Sequence, residues 1–215
     1  MSGAWEAVWL TLKVASVATA VVFVPGSLLA YVLARYRLPG KSFISAVVGL
    51  PLVLPPTAVG YLLLQALGAG GIFGDHGIQI LLTWQAAVLA AVVMSAPLVI
   101  RTARVAFEAV DPELEQMART LGLRPVEVFV YYTIPLAGRG LLAAALLGFT
   151  RAVGEFGATV TIAGNIPGRT QTLAAAIFSA QQVGDEQTAN FLLLVALALG
   201  VVSIVGAEYL VRQQR

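Results

Sequence analysis

The chain alternates between long apolar stretches and shorter polar ones, and this pattern predicts its helices. Apolar residues dominate the ranges 5–34, 43–67, 84–105, 138–162 and 189–211. A helix needs roughly 20 apolar residues to cross a hydrocarbon core about 30 Å thick, and each stretch is long enough. The pattern predicts an all-α integral membrane protein, a single domain over 1–215 with about five membrane-spanning helices.

The second apolar stretch contains three prolines, Pro51, Pro55 and Pro56. Proline lacks a backbone N–H donor, and its ring kinks or breaks a helix. A membrane tolerates such a break only where neighbouring groups or a cavity satisfy the freed carbonyls. We expect this span to be bent or broken, either as a packing kink or as the wall of a pathway or gate.

The longest charged interruption, 108–137, begins with the pattern of a short capped helix. Asp111 can accept hydrogen bonds from the first backbone N–H groups, and Pro112 suits the first helical position. Glu113 and Glu115 fall where the helix dipole favours negative charge. Gly122 supplies the stop signal. We therefore expect a helix between Asp111 and Gly122.

The expected helix has one apolar stripe, because four residues recur at i, i+3, i+4 and i+7. These are Leu114, Met117, Ala118 and Leu121. Isolated helices shorter than about 12–15 residues are marginal in water. The stripe must therefore pack on another part of this chain or on a partner.

Composition supports the membrane interpretation. Of 215 residues, 59% are hydrophobic and 11% are charged, whereas globular proteins carry about 25% charged residues. One soluble domain cannot hide this apolar surplus. The chain has no cysteine and a net charge of +2, so we expect neither thiolate sites nor a nucleic-acid-binding surface.

Positive charges fall mainly on one side of the predicted spans. They lie between the first and second spans, between the third and fourth, and after the fifth: Arg35, Arg37, Lys41, Arg101, Arg104, Arg119, Arg124, Arg139, Arg212 and Arg215. The loops on the other side hold only Arg169. By the positive-inside rule, we expect the N-terminus outside and both 108–137 and the C-terminus in the cytoplasm.

Two short sequence features suggest a phosphate site and a metal site, but neither has the residues that such a site needs. Gly40, Lys41 and Ser42 match the end of a phosphate-binding P-loop, but Arg35 stands where that loop needs a glycine. The only histidine, His76, lies in a glycine-rich turn, and a metal site needs several ligands. We expect no catalytic residues, no metal site and no ATP hydrolysis by this chain.

Arg151 and Glu155 form an unusual pair within the fourth apolar stretch. They are four residues apart, so in a continuous helix they share a face. Charges at this depth are costly unless they are paired or face protein or water. The pair is expected either to fix the packing of the bundle or to shape an anion pathway, with Glu155 holding Arg151 in place.

The segment 108–137 resembles the cytoplasmic loop of permease subunits of bacterial ATP-binding-cassette importers. That loop has the pattern EAA, three residues, G, nine residues, I-x-L-P, and the matching positions here are Gln116, Met117, Ala118, Gly122, Tyr132, Ile134 and Pro135. Gln116, Met117 and Tyr132 depart from the pattern, and Glu115 is a candidate for the acidic role. The stretches 50–64, 93–104 and 151–170 further resemble the molybdate permeases of this superfamily.

This resemblance implies a type I importer permease fold in the bacterial inner membrane. It also implies a homodimer, two cytoplasmic ATPase subunits that use ATP, and a periplasmic oxyanion-binding protein, with no cofactor on this chain. The residues it implies for contact with the ATPase are Glu113, Leu114, Glu115, Gln116, Met117, Ala118, Leu121, Gly122 and Pro135. The loop from Asn165 to Arg169 is either a docking site for the binding protein or a plain turn.

Other functions stay open at the level of sequence. Tungstate and sulfate permeases share much of the pattern, so molybdate is the expected substrate with these two as alternatives. A small membrane enzyme using Arg151, Glu155 and the loop acids is a second class, although no nucleophile is paired with a base. A homo-oligomeric channel without an ATPase is a third class.

Overall fold

The computed structural model describes residues 2–36, 38–68, 70–71 and 80–212, and its regular elements there are all helical. The all-α prediction is confirmed for this part of the chain. The α-helices are α1 Ser2–Arg35, α2 Lys41–Val53, α3 Pro56–Leu67, α4 Trp84–Glu108, α5 Pro112–Thr120, α6 Pro125–Val128, α7 Ile134–Val153, α8 Gly157–Ala163, α9 Leu173–Gln182 and α10 Glu186–Arg212, with a π-helix at Phe129–Thr133.

Helix α4 lies at the centre of the bundle and packs against α1, α7, α8 and α2. Its most apolar 18-residue window is 56% buried, against 11% for α10. Ala86, Ala90 and Ala91 have no exposed surface, and such small side chains let helix backbones approach closely. Helix α10 therefore presents most of its apolar surface outward, as expected of a helix that faces lipid.

Four helical segments are long and apolar enough to cross a membrane within the described ranges: Gly3–Arg35, Trp84–Glu108, Pro125–Val153 and Glu186–Gly206. A fifth crossing requires counting α2 and α3 as one span. These two helices are bent by 111°. The expected break at the prolines is confirmed: α2 ends at Val53, and α3 begins with Pro56 at its first position.

The fourth predicted span was wrong in its continuity and in its start. Helix α7 ends at Val153, and α8 begins only at Gly157. The helical path also starts earlier than expected, at Pro125, so the second half of 108–137 belongs to the span. Glycine has low helix propensity, which weakens the helix at Gly154 and Gly157.

Helix α9 was not predicted, because its ten residues are too few to cross a membrane. It packs against α10 and α1. Its first amide is held by α1, since the Leu173 N–H donates to the Thr11 hydroxyl at 2.7 Å.

Asp185 precedes α10, and its carboxylate accepts a hydrogen bond from the Thr188 N–H at 3.0 Å. Hydrogen bonds from Thr188 lower the pKa of Asp185 below its ordinary value.

The two broken spans meet at their breaks. A Cβ added to Gly157 would lie 2.8 Å from Cβ of Pro56 and 3.2 Å from the Thr57 nitrogen. One turn further, a Cβ on Gly60 would lie 2.8 Å from Cβ of Thr161 and 2.9 Å from Cα of Ala158. Helices α3 and α8 can pack this closely only because glycine occupies both positions.

Gly60→Ala is therefore expected to destabilise the bundle. The added methyl has no free volume and meets backbone as well as side chain, and overpacking of this kind costs about 1–3 kcal/mol. The control is Gly138→Ala in α7, where an added Cβ meets no heavy atom within 4 Å. Thermal unfolding of the purified chain in detergent measures both. A Gly60→Ala variant as stable as the control would contradict the close α3–α8 contact.

Candidate functional site

Helix α5 forms as the sequence predicts. The Asp111 carboxylate accepts a hydrogen bond from the Glu113 N–H at 2.9 Å, and Pro112 occupies the first position. After the helix, Gly122 adopts φ +91°, a left-handed conformation that favours glycine. The Leu123 N–H then donates to the Ala118 carbonyl at 3.3 Å, which satisfies one of the open carbonyls at the helix end.

The apolar stripe of α5 is divided between two environments. Ala118 is buried against this chain, whereas Leu114, Met117 and Leu121 are exposed, Leu121 to 81%. We call these three side chains the outer face of α5. Beside Leu114 opens a cavity of about 470 Å³ that Pro135 also lines. Glu113 and Gln116 are exposed as well.

Glu115 points the opposite way, into the chain, although it was expected among the outward contacts. Its side chain is only 7% exposed, and Arg35, the last residue of α1, is 12% exposed. One carboxylate oxygen, Oε1, accepts from Arg35 Nη2 at 2.9 Å, from Arg35 Nε at 3.1 Å and from the Thr133 hydroxyl at 2.8 Å. Arg35 Nη2 also donates to the Val110 carbonyl at 2.8 Å. We call these four residues the Glu115 cluster.

The Glu115 cluster joins the ends of several helices. Arg35 ends α1, Val110 follows α4, and Thr133 ends the π-helix before α7. Tyr31 sits one turn before Arg35, and its ring lies 4.5 Å from Phe129 and 5.4 Å from Phe107, centroid to centroid. Burying an ion pair is costly, and removing one partner typically destabilises by about 3–5 kcal/mol. The cluster is therefore a firm point of attachment for α5.

Sequence reasoning missed Arg35 and Thr133 as site residues. Arg35 was considered as one of the positive charges and as the residue that rules out a P-loop, and Thr133 fell in the presumed loop. No sequence period pairs residues 80 positions apart. The acidic residue next to the apolar stripe was the one available signal, and it did not identify a partner.

Arg151 and Glu155 form the expected ion pair, but they do not share a helix. Arg151 lies in α7, and Glu155 lies in the break after Val153. The Arg151 Nη1 atom is 2.7 Å from Glu155 Oε2. The other oxygen, Oε1, accepts from the Ala158 N–H at 2.9 Å. The Glu155 side chain thus satisfies an open amide of α8 and neutralises a charge at once.

The ion pair adjoins the place where the two broken spans meet. Glu155 and Gly157 flank Phe156, and Gly157 contacts the start of α3. Glu155 is 2% exposed, whereas the Arg151 side chain retains 26%. Part of the Arg151 side chain therefore remains accessible beside a junction of interrupted helices. In many transporters, substrate sites lie where discontinuous membrane helices meet.

The loop from Asn165 to Arg169 is an ordered turn. The Asn165 side-chain amide donates to the Ser179 hydroxyl of α9 at 2.7 Å. The Thr170 hydroxyl accepts from the Ile166 N–H at 3.1 Å. Arg169 is exposed. The loop therefore presents a cation on a framework fixed to α9.

The rejected P-loop match consists of a turn residue and the start of α2. Gly40 has φ 78° and precedes α2, which begins at Lys41, and the regular element described before it is helix α1. His76 lies outside the described residues. Among the residues that the structure does describe, no group of three or more His, Cys, Asp or Glu is placed to hold a metal ion.

Comparisons with known proteins agree with this architecture. The molybdenum transport system permease protein ModB of Escherichia coli is 44% identical over 217 residues, covering 98% of this chain and 95% of that protein. The sulfate transport system permease protein CysT of Salmonella typhimurium is 35% identical, covering 88% and 70%.

Solved structures give the fold. The methionine ABC transporter MetNI, in inward-facing conformations, superposes with a TM-score of 0.70 at 20% identity, covering all of this chain and 95% of the matched one. The model of one transport family matches residues 11–215. The chain belongs to the family of binding-protein-dependent transport system inner membrane components.

Proposed function

We propose that this chain is the membrane-spanning permease subunit of an ATP-driven importer for a tetrahedral oxyanion, molybdate. The observation that carries the proposal is the double-sided helix α5, which is anchored inward through Glu115 and exposes Leu114, Met117 and Leu121. Molybdate is favoured over sulfate because the molybdenum permease is more similar, 44% against 35% identity, and matches over more of its length.

The energy for transport comes from a partner in this proposal. The phosphate-loop match fails, and the outer face of α5 is apolar in a polar surrounding, which is typical of a helix that docks into a groove. Two copies of the chain bind two cytoplasmic ATPase subunits, each through its own α5. ATP-driven closure of the ATPases moves both copies of α5, and the attached helices change the access of the pathway.

The orientation follows the positive charges. The N-terminus lies outside, and both α5 and the C-terminus lie in the cytoplasm. The turn at Asn165 to Arg169 and helix α9 then face the periplasm, where an oxyanion-binding protein delivers its ligand. A loaded binding protein shifts the permease toward the outward-open state only if it binds that state more tightly.

The pathway passes the junction of the two broken spans. There the Arg151 side chain is partly exposed, and its guanidinium is paired with Glu155 at 2.7 Å. A cation fixed at this depth lowers the cost of moving an anion through the bilayer. Glu155 keeps the cation oriented through its second bond to the α8 amide.

Met117→Glu tests the docking face. A charge in the centre of an apolar contact is expected to weaken ATPase binding by about 2 kcal/mol, roughly thirtyfold. Copurification of the ATPase with the tagged permease, together with molybdate uptake, measures the effect.

The matched control for Met117→Glu is Val183→Glu, which adds the same charge at an exposed site after α9. It is expected to keep the ATPase bound. Equal ATPase recovery with Met117→Glu would refute docking through α5. A stable wild-type complex without any ATPase would favour a channel.

Arg151→Met tests the pathway. Uptake is expected to fall to background while the complex stays assembled. The control is Arg104→Met, which removes the arginine of another i, i+4 pair of 2.7 Å at the more exposed end of α4, where an ion pair contributes about 0–1 kcal/mol.

The double variant Arg151→Met with Glu155→Gln separates a pathway role from a packing role. It leaves no unpaired buried charge, so a role in packing alone predicts that uptake recovers. A role in the pathway predicts that uptake stays lost. Recovery of transport in the double variant would sink the pathway assignment.

Competition for uptake tests the substrate. Cells that express the importer are expected to accumulate labelled molybdate, and unlabelled molybdate is expected to compete better than sulfate in equal excess. Tungstate serves as the isosteric comparison. Stronger competition by sulfate than by molybdate would overturn the substrate assignment and leave the permease assignment intact.

A further inference from the structure

We infer that Arg35 is a positioning residue that carries the movement of α5 into helix α1 through the buried Glu115 carboxylate. This inference rests on the proposed function, because it describes how the force exerted by an ATPase on α5 reaches the membrane helices. Arg35 lies 80 residues before Glu115 in sequence, and the two side chains meet at 2.9 Å.

Few side chains hold α5 against the rest of the chain. The helix has nine residues, and only Glu115 and Ala118 among its side chains are buried. A helix this short has little stability of its own. Along the chain, α4 precedes α5 and α6 follows it. The contact of α5 with α1 is not covalent, and the Glu115 cluster supplies this contact.

The contact between Arg35 and Glu115 fixes the orientation of both side chains. Arg35 donates twice to one carboxylate oxygen and once to the Val110 carbonyl, so its guanidinium is held in a single orientation. The Thr133 hydroxyl donates to the same oxygen at 2.8 Å. Charge-assisted hydrogen bonds to a planar guanidinium are strong and directional. The cluster therefore resists both translation and rotation of α5 relative to α1.

Helix α1 is the longest helix of the described part of the bundle. Arg35 is its last residue, and this 34-residue helix packs against α4 and α7. The ring of Tyr31 packs on Phe107 and Phe129, which extends the rigid contact one turn into α1. A displacement of α5 is thus passed to a full-length membrane helix, and α1 moves together with α4 and α7.

The π-helix fits the same role. Its extra residue changes the helical register between α6 and α7, and such insertions are frequent at functional sites. Thr133 ends the π-helix with its side chain fully buried. Its hydroxyl reaches Glu115 from the start of α7, so a single carboxylate oxygen links α5 to both α1 and α7.

The experiment compares Arg35→Gln and Glu115→Gln with wild type in two measurements. The first is hydrogen exchange of the backbone amides in 112–120 on the purified permease. The second is the number of molybdate ions transported per ATP hydrolysed in proteoliposomes that contain the permease, its ATPase and its binding protein. Both variants leave the outer face of α5 unchanged, so the ATPase is expected to remain bound.

We expect faster hydrogen exchange in α5. We also expect the number of molybdate ions transported per ATP to fall roughly tenfold, a factor within the range of about 5- to 150-fold that is usual for coupling between two sites. Arg35→Lys keeps the charge but loses the forked geometry, so its loss is expected to be smaller. Thr133→Val removes one hydrogen bond and no charge, and it keeps the test open if the charge-removing variants fail to fold. Arg104→Gln, which breaks the exposed pair with Glu108, is the control and is expected to behave as wild type.

Each other outcome has a distinct meaning. Unchanged exchange in α5 would overturn the anchoring role of Arg35. Faster exchange with an unchanged ratio would overturn the transmission of movement to α1. If ATPase binding and molybdate uptake fall by the same factor, Arg35 has only a structural role, and the transmission of movement to α1 is also overturned. A wild-type complex that exchanges as expected but takes up no oxyanion would refute the proposed function, while the anchoring of α5 by Arg35 would stand.

Discussion

The pairing of the Glu115 carboxylate with the Arg35 guanidinium is the interaction on which the cytoplasmic end of this bundle depends. A carboxylate buried among helix ends costs several kcal/mol unless it is paired and hydrogen-bonded. Here one oxygen meets both needs, through Arg35 and Thr133. Because these partners lie on different helices, satisfying the charge also fixes where those helices end. The short helix α5 is stable where it is because of this cluster rather than because of its own length.

A second constraint acts deeper in the bundle, where the backbone has no water to satisfy it. Each broken span leaves open amides and carbonyls, and a membrane tolerates them only beside protein groups or a cavity. The structure places the two breaks together, with Gly157 against Pro56. Glu155 satisfies an amide of α8 and holds Arg151. The same carboxylate therefore serves helix capping and charge neutralisation, which is why a role in packing and a role in transport involve the same pair.

The Glu115 cluster and the ion pair of Arg151 with Glu155 are built alike but differ in exposure. In each, a buried carboxylate orients an arginine side chain, and the two arginines differ in how much of their surface is exposed. The Arg35 side chain is almost fully enclosed, as suits a mechanical contact, whereas the Arg151 side chain keeps a quarter of its surface. Sequence alone drew attention to the second pair, because its members are four residues apart. It gave no reason to connect Arg35 with Glu115, whose closeness arises from the packing of α1 beside α4 and α5.

Several features of the protein follow from its sequence alone because their causes are local. The caps of α5, the break at Pro55 and Pro56, and the approximate positions of α1, α4 and α10 depend on neighbouring residues and on apolar length. Tertiary structure alone decided the helix α9, the inward direction of Glu115 and the meeting of the two broken spans. These depend on which distant groups satisfy a backbone amide or a charge, and such partners lie tens of residues apart in sequence.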